Sequence, residues 1–275
     1  MELSEQEQYR RGVAFAELHA GRGTFVIPNP WDAGSARLLA ALGFRALATT
    51  SAGLAFALGR PDGVGAVSRE ETLANARAIV AATPLPVSAD LENAFADTPE
   101  EVAATIRLAA EAGLVGASIE DFSGRPDDPI MPLDVAVDRV TAAVEAARAL
   151  PFPFTVTART ENFGRGRPDL DDTIRRLLAF EKAGADVLYA PWLPGLDAIR
   201  TVCATVSRPV NVVAERTHTV AELAACGVRR ISVGSAFART ALAAAVRAAT
   251  EVRDAGTFTF LADALPIADI DAAFA

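Results

Sequence analysis

The chain has 275 residues, 51% of them hydrophobic, which is enough for one large α/β domain with a sizeable core. A formal charge of −9 argues against nucleic acid or an anionic membrane surface as a partner. No segment has the long uncharged apolar run of a membrane-spanning helix.

The first ten residues are polar and acidic, unlike a secretory leader. Cys203 and Cys226 stand in no zinc-like or redox spacing, and both observations point to a reducing cytoplasm. Strands are predicted at 25–29, 46–50, 86–92, 116–121, 154–160, 187–192, 209–214 and 230–235. Ala-rich helical stretches lie between them at 32–42, 69–82, 99–112, 133–150, 170–183, 195–206 and 220–225, and another runs from 236 to about 253. Gly43, Gly113, Gly184 and Gly227 each follow a helix and precede a strand, where a left-handed cap is needed.

The alternation implies parallel strands with crossover helices, and eight such units close a (β/α)₈ TIM-type barrel. An open doubly wound sheet would place a glycine-rich turn after the first strand, where this chain has Pro28, Asn29, Pro30 and Trp31. Residues 1–275 are therefore read as a single domain. Residues 255–275 form an apolar C-terminal tail expected to pack on its own barrel or on a neighbouring subunit.

Acids cluster where the strands end. Asp90 and Glu92 close the third predicted strand, Glu120 and Asp121 the fourth, and Arg159 and Glu161 stand at the end of the fifth. Residues two apart on a strand share a face, so Asp90 and Glu92 are expected to point together. No lysine stands beside these acids, and ion pairing alone would not explain them. If Asp90, Glu92 and Glu120 converge, their repulsion calls for a hard cation with oxygen ligands, Mg²⁺ or Mn²⁺. Asp121 caps a helix or orients a neighbour. Arg159 either neutralises these acids or clamps a substrate carboxylate, and Glu161 positions Arg159 or holds a water. The basic pairs Arg165/Arg167 and Arg175/Arg176 offer contacts to an anionic substrate.

The hydroxyls and backbone N–H groups of residues 49–53, including Thr50, Ser51 and Ala52, suit a carboxylate or enolate oxygen, or form an ordinary turn. Asp62, taken alone, is a turn acid. Asn211, inside the seventh strand, contacts ligand or joins a core network. His218 is a general acid or base, or a loop residue. Trp31 enters a helix capped by Asp32 and is placed to wall the pocket. Gly234 and Ser235 offer a weak anion site.

Together these residues resemble the isocitrate lyase / phosphoenolpyruvate mutase superfamily from about residue 25 to 242. The carrying motifs are residues 49–53 with 59–62, then 88–92, 117–121 and 157–161. The resemblance implies a (β/α)₈ barrel with a Mg²⁺ site formed by Asp90, with Asp62, Glu92 and Glu120 acting directly or through water. It implies that Arg159 and the backbone of Thr50, Ser51 and Ala52 hold a 2-oxo acid or its enolate. It also implies a last helix swapped between subunits in a homotetrameric dimer of dimers.

The chain departs from that pattern in places. Lyases of the family carry a lysine–cysteine–glycine motif in the mobile loop after strand four, and mutases a lysine and an asparagine. Residues 122–132 hold none of lysine, cysteine or asparagine. Tyr189, Pro191 and Trp192 stand where other branches place Glu or His. Asn211 lies two positions before the asparagine the family pattern predicts.

The expected activity is that of a Mg²⁺-dependent enzyme acting on a small 2-oxo acid or dicarboxylate. It would be a carbon–carbon lyase or decarboxylase working through a metal-bound enolate, with oxaloacetate-like substrates, and not a standard isocitrate or methylisocitrate lyase. Loop 122–132 would be the lid. Phosphonate C–P hydrolysis or rearrangement is one alternative, and a non-catalytic 2-oxo acid binding protein is another.

Overall fold

The computed structural model describes residues 3–125 and 127–274. Met1 and Glu2 of the polar leader, Pro126 of loop 122–132 and Ala275 of the tail lie outside the described residues.

Eight parallel strands form one sheet in the order β1-β8-β7-β6-β5-β4-β3-β2. They are β1 (Phe25–Ile27), β2 (Leu47–Ala48), β3 (Val87–Asp90), β4 (Gly116–Glu120), β5 (Thr155–Arg159), β6 (Val187–Tyr189), β7 (Val210–Val213) and β8 (Arg230–Ser232). Each lies inside its predicted range. The seam between β1 and β2 is joined by one backbone bond, Ala48 N–H to Pro28 O at 3.0 Å. Asn29 completes it. Its amide donates to the carbonyls of Ala48 and Thr49 and accepts from the N–H groups of Val233 and Gly234 beyond β8. One side chain thus stitches both neighbours of β1, a closure that sequence patterning does not show.

The crossover helices are α2 (Ala33–Ala41), α4 (Arg69–Ala82), α5 (Pro99–Glu111), α6 (Leu133–Arg148), α7 (Leu170–Lys182), α8 (Gly195–Thr205), α9 (Val220–Ala225) and α10 (Ala236–Ala255), with α1 (Glu5–Ala20) before them and α3 (Ser51–Ala57) after β2. Reciprocal caps start several of them, Ser68 with Glu71, Thr98 with Glu101 and Thr219 with Glu222, each worth about 1 kcal/mol. Their apolar faces and the strands share one large core that includes Leu47, Ile106, Val156, Leu177 and Leu188. No helix among the described residues is long and apolar enough to cross a membrane.

Two helices were not anticipated. The hydroxyl-rich stretch at 50–53 begins α3 rather than forming a turn, with Thr50 as its cap. Helix α1 arises from the polar leader and lies across the N-terminal ends of the strands. Phe15 reaches Gly116, and a Cβ at Gly12 would collide with the carbonyl oxygen of Pro153, so only glycine allows that approach.

The tail folds back on its own barrel. Helix α11 (Ile267–Phe274) packs on α2, and Arg37 donates to the Phe274 carbonyl at 2.5 Å.

Candidate active site

Backbone register places five residues in one row across five strands: Glu120, Arg159, Tyr189, Asn211 and Arg230. Laterally paired residues of a parallel sheet share a face, so all five point into the barrel. Asp90, Arg159, Tyr189, Asn211 and Arg230 line a cavity that opens at the C-terminal end of the strands, with Thr49 and Thr50 beside them. That is the active face of this architecture.

Arg159 is the hub. Its Nε is 2.5 Å from Glu161 and 3.3 Å from Glu120, and Nη1 is 3.7 Å from Asp90. Its guanidinium lies 5.1 Å from the Tyr189 ring centre. Burial works to lower its pKa, but Glu120 and Glu161 outweigh burial and hold it above the usual value. Glu161 is positioned in turn by Asp121, which accepts its backbone N–H at 2.8 Å and pairs with buried Arg176 at 3.2 Å. Asp121 therefore orients a neighbour rather than meeting ligand.

Arg165 is the further cation here. It stands 3.3 Å from Glu161 and 3.9 Å from Glu120, with its guanidinium 3.5 Å from the Phe122 ring centre. Read along the chain, Arg165 is only part of a basic pair, because the short 3₁₀ turn over Phe163–Arg165 that aims it has no pattern of its own.

Glu120 therefore does have ion-pair partners, contrary to expectation. The arginines reach it from β5 and the following loop, where no linear spacing announces them. Burial still pushes its carboxyl well above the usual range.

The second correction concerns Glu92. The strand ends at Asp90, and Glu92 sits in a left-handed turn with φ +49°, followed by Ala94 at +63° and Phe95 at +52°. Thr105 of α5 donates to the Ala94 carbonyl at 2.8 Å, and Arg139 of α6 donates to that of Asn93. Two crossover helices thus hold a backbone shape that L-residues rarely adopt, and strain of this kind concentrates at functional sites.

Asp90 accepts from both the N–H and the hydroxyl of Ser51, at 3.2 and 2.8 Å. Glu92 is pushed up to about 7 by burial, then by the charges of Asp90 and Asp62. Asp62 is raised by burial and by Asp90. These three acids thus lie within each other's field and carry negative charge that Arg159 and Arg165 do not cancel. Among the described residues no three His, Cys, Asp or Glu side chains close into a ready-made metal shell. An ion here would be held by few direct carboxylates, with the others acting through water. The oxygen-only donors and the uncancelled charge fit a hard dication.

Other expected residues fall elsewhere. Ser51 is committed to Asp90, and neither it nor Ala52 lines the cavity. Trp31 packs behind α3, its Cβ against Gly53, and does not wall the pocket. His218 lies half-buried in the β7–α9 loop, outside the cavity lining. Asn211 lines the cavity and joins a network, accepting from Arg230 at 2.8 Å and donating to Ser232 at 3.1 Å. Gly234 lines the wall, its N–H spent on Asn29. The base of loop 122–132 is pinned, with Phe122 bridged to Ile130 and Met131 N–H bound to the Asp121 carbonyl.

The chain is similar to known proteins. The pattern of the phosphoenolpyruvate phosphomutase family matches residues 15–253. A crystal structure from Burkholderia cenocepacia, described as a putative lyase/mutase, superposes with a TM-score of 0.95 at 58% identity, over 98% of both chains. The 2,3-dimethylmalate lyase of Eubacterium barkeri is 31% identical over 69% of this chain and 66% of its own. The oxaloacetate decarboxylase of Chromohalobacter salexigens is 29% identical over 87% of this chain and 84% of its own.

Proposed function

The chain belongs to the phosphoenolpyruvate phosphomutase family, and from that premise we propose that it is a Mg²⁺-dependent enzyme acting on a small 2-oxo acid or related dicarboxylate, as a carbon–carbon lyase or decarboxylase. One observation carries the reading: Asp90, whose charge bears on both Asp62 and Glu92, lines the cavity 3.7 Å from the Arg159 guanidinium. A cavity so divided suits a cation on one side and a carboxylate on the other.

Asp90 would hold the ion, oriented by Ser51, with Asp62, Glu92 and Glu120 contributing directly or through water. Bound there, Mg²⁺ would supply Lewis-acid stabilisation of the charge that develops as the substrate passes to an enolate. Arg159 binds a substrate carboxylate. Glu120 and Glu161 fix the guanidinium before substrate arrives, so its reorganisation is small. Thr50 offers its edge of the wall to the substrate oxygen. The loop after β4 would serve as the lid that limits water.

The test is titration of oxaloacetate and pyruvate, with Mg²⁺ and with EDTA, together with turnover assays on 2-oxo acids and a phosphonate. Mg²⁺-dependent binding with release of a C–C cleavage product is expected. Binding indifferent to EDTA would defeat the metal assignment. Tight binding without turnover would leave a binding protein, and turnover of the phosphonate alone would move the reaction to C–P chemistry.

The same family points to a homo-oligomer. Of the twenty residues of α10 only Ala238 is buried, while Leu242 and Val246 stand one turn apart in the open, 48% and 64% exposed. Phe258, Leu261 and Ile267 of the tail are more than half exposed as well. Apolar surface on this scale marks an interface. Light scattering should give the mass of a dimer of dimers, and Leu242→Glu with Val246→Glu should reduce it. A monomeric wild type would end this part of the proposal.

A further inference from the structure

Arg230 opens β8 and closes the inward row that Arg159 shares. It is 5% exposed and lines the cavity at its depth. Its nitrogens meet only neutral partners: Nε donates to Asn211 at 2.8 Å, Nη2 donates to Thr157 at 3.0 Å, and Nη1 lies 3.3 Å from His19 Nε2. Among the described residues no carboxylate pairs with it. Burial lowers its pKa to about 10. Burial, and then Arg230 itself, push His19 down to about 3, so the imidazole stays neutral beneath it.

A buried guanidinium without a counter-charge is expensive, and an apolar side chain of the same volume would serve the core better. A guanidinium has five N–H donors, and the three contacts leave two free. Of the two guanidinium groups lining the cavity, Arg159 is surrounded by acids and Arg230 faces none. The uncompensated positive charge of the site is therefore deep in the barrel, below the acidic mouth. Asn211 and Thr157 fix its orientation as hydrogen-bonded neighbours fix a ligand-binding group.

We propose that Arg230, held by Asn211 and Thr157, is an anion subsite for a second carboxylate of the substrate, selecting small dianions that lie along the barrel axis. This rests on the reading of the mouth as the oxo-acid end. It adds the residue that separates dicarboxylates from monocarboxylates.

Malate and lactate differ by one carboxylate and do not undergo the oxo-acid chemistry. Titration of the full chain with each, in Mg²⁺ and again in EDTA, isolates the contribution of that carboxylate. Wild type should bind malate at least about tenfold more tightly than lactate, a charge-assisted bond's worth. Arg230→Met should bring the ratio near one and leave lactate within about twofold. A wild type without preference overturns the subsite, as does a folded Arg230→Met that keeps it. Should that variant not fold, a malate-soaked wild-type crystal decides. The distal carboxylate lies within hydrogen-bond distance of Arg230, or the proposal fails. Absence of any Mg²⁺ effect on either acid would instead strike the metal reading alone, because the ratio is measured in EDTA too.

Discussion

Replacing Asp90 with alanine is expected to lower Mg²⁺-dependent ligand affinity at least about a hundredfold, without lowering the melting temperature. Loss of a group that merely orients a ligand costs about ten- to a hundredfold in metal affinity, and Asp90 is assigned a direct role. The stability half follows from the neighbours. Glu92 and Asp62 are both raised by the charge of Asp90. Removing that charge relieves two acids, against the loss of hydrogen bonds from Ser51. Titration calorimetry with and without EDTA, beside a thermal melt, checks both halves. A variant that keeps the Mg²⁺ effect, or that simply melts early, would make Asp90 a structural cap of α3. Opposite signs in function and stability are the mark of a group kept for its chemistry.

The barrel itself was legible because its signals are local and repeated. Glycine at 43, 113, 184 and 227, and the switch between apolar strand and Ala-rich helix, need no partner elsewhere in the chain. All eight strands fall within their predicted ranges for that reason. Asp90, Glu120 and Arg159 were legible as ends of those strands. Glu92 was placed on the strand, which is wrong, because a period-two strand pattern cannot foresee a left-handed turn clamped by Thr105 and Arg139. Trp31 and His218 follow strands β1 and β7, yet a loop's direction is set by what it packs on, and these two lead away from the cavity.

Arg230 carries a signal in the sequence itself. It alternates with Ser232 on the strand, so both occupy the inward set, and an arginine in that set asks where its charge is met. Arg176 asks the same of α7, and there Asp121 and Asp172 supply the answer. The contrast is physical. Arg176, met by two acids away from the cavity, fixes structure. Arg230 finds only amide, hydroxyl and neutral imidazole, and its counter-charge is left to come from outside the chain.

Arg159→Lys is the second large effect, expected to weaken carboxylate ligands about ten- to a hundredfold with only a modest change in melting temperature. A hydrogen bond to a charged group contributes about 1.5–3 kcal/mol, and the fork supplies more than one. The guanidinium gives its Nε edge to Glu161 and Glu120, and its remaining nitrogens face Asp90 and the cavity. An ammonium is a point charge on a shorter reach. It can neutralise the buried acids or meet the substrate, and it lacks the planar geometry to do both. Arg159→Met separates the two duties. It leaves Glu120 and Glu161 buried without their principal cation, which costs about 3–5 kcal/mol in folding stability and is read directly in a denaturant melt. The lysine variant should therefore lose ligand and keep the fold, while the methionine variant loses both. Unchanged carboxylate affinity in a folded Arg159→Lys would reject the clamp and reduce Arg159 to a counter-ion for the acids around it.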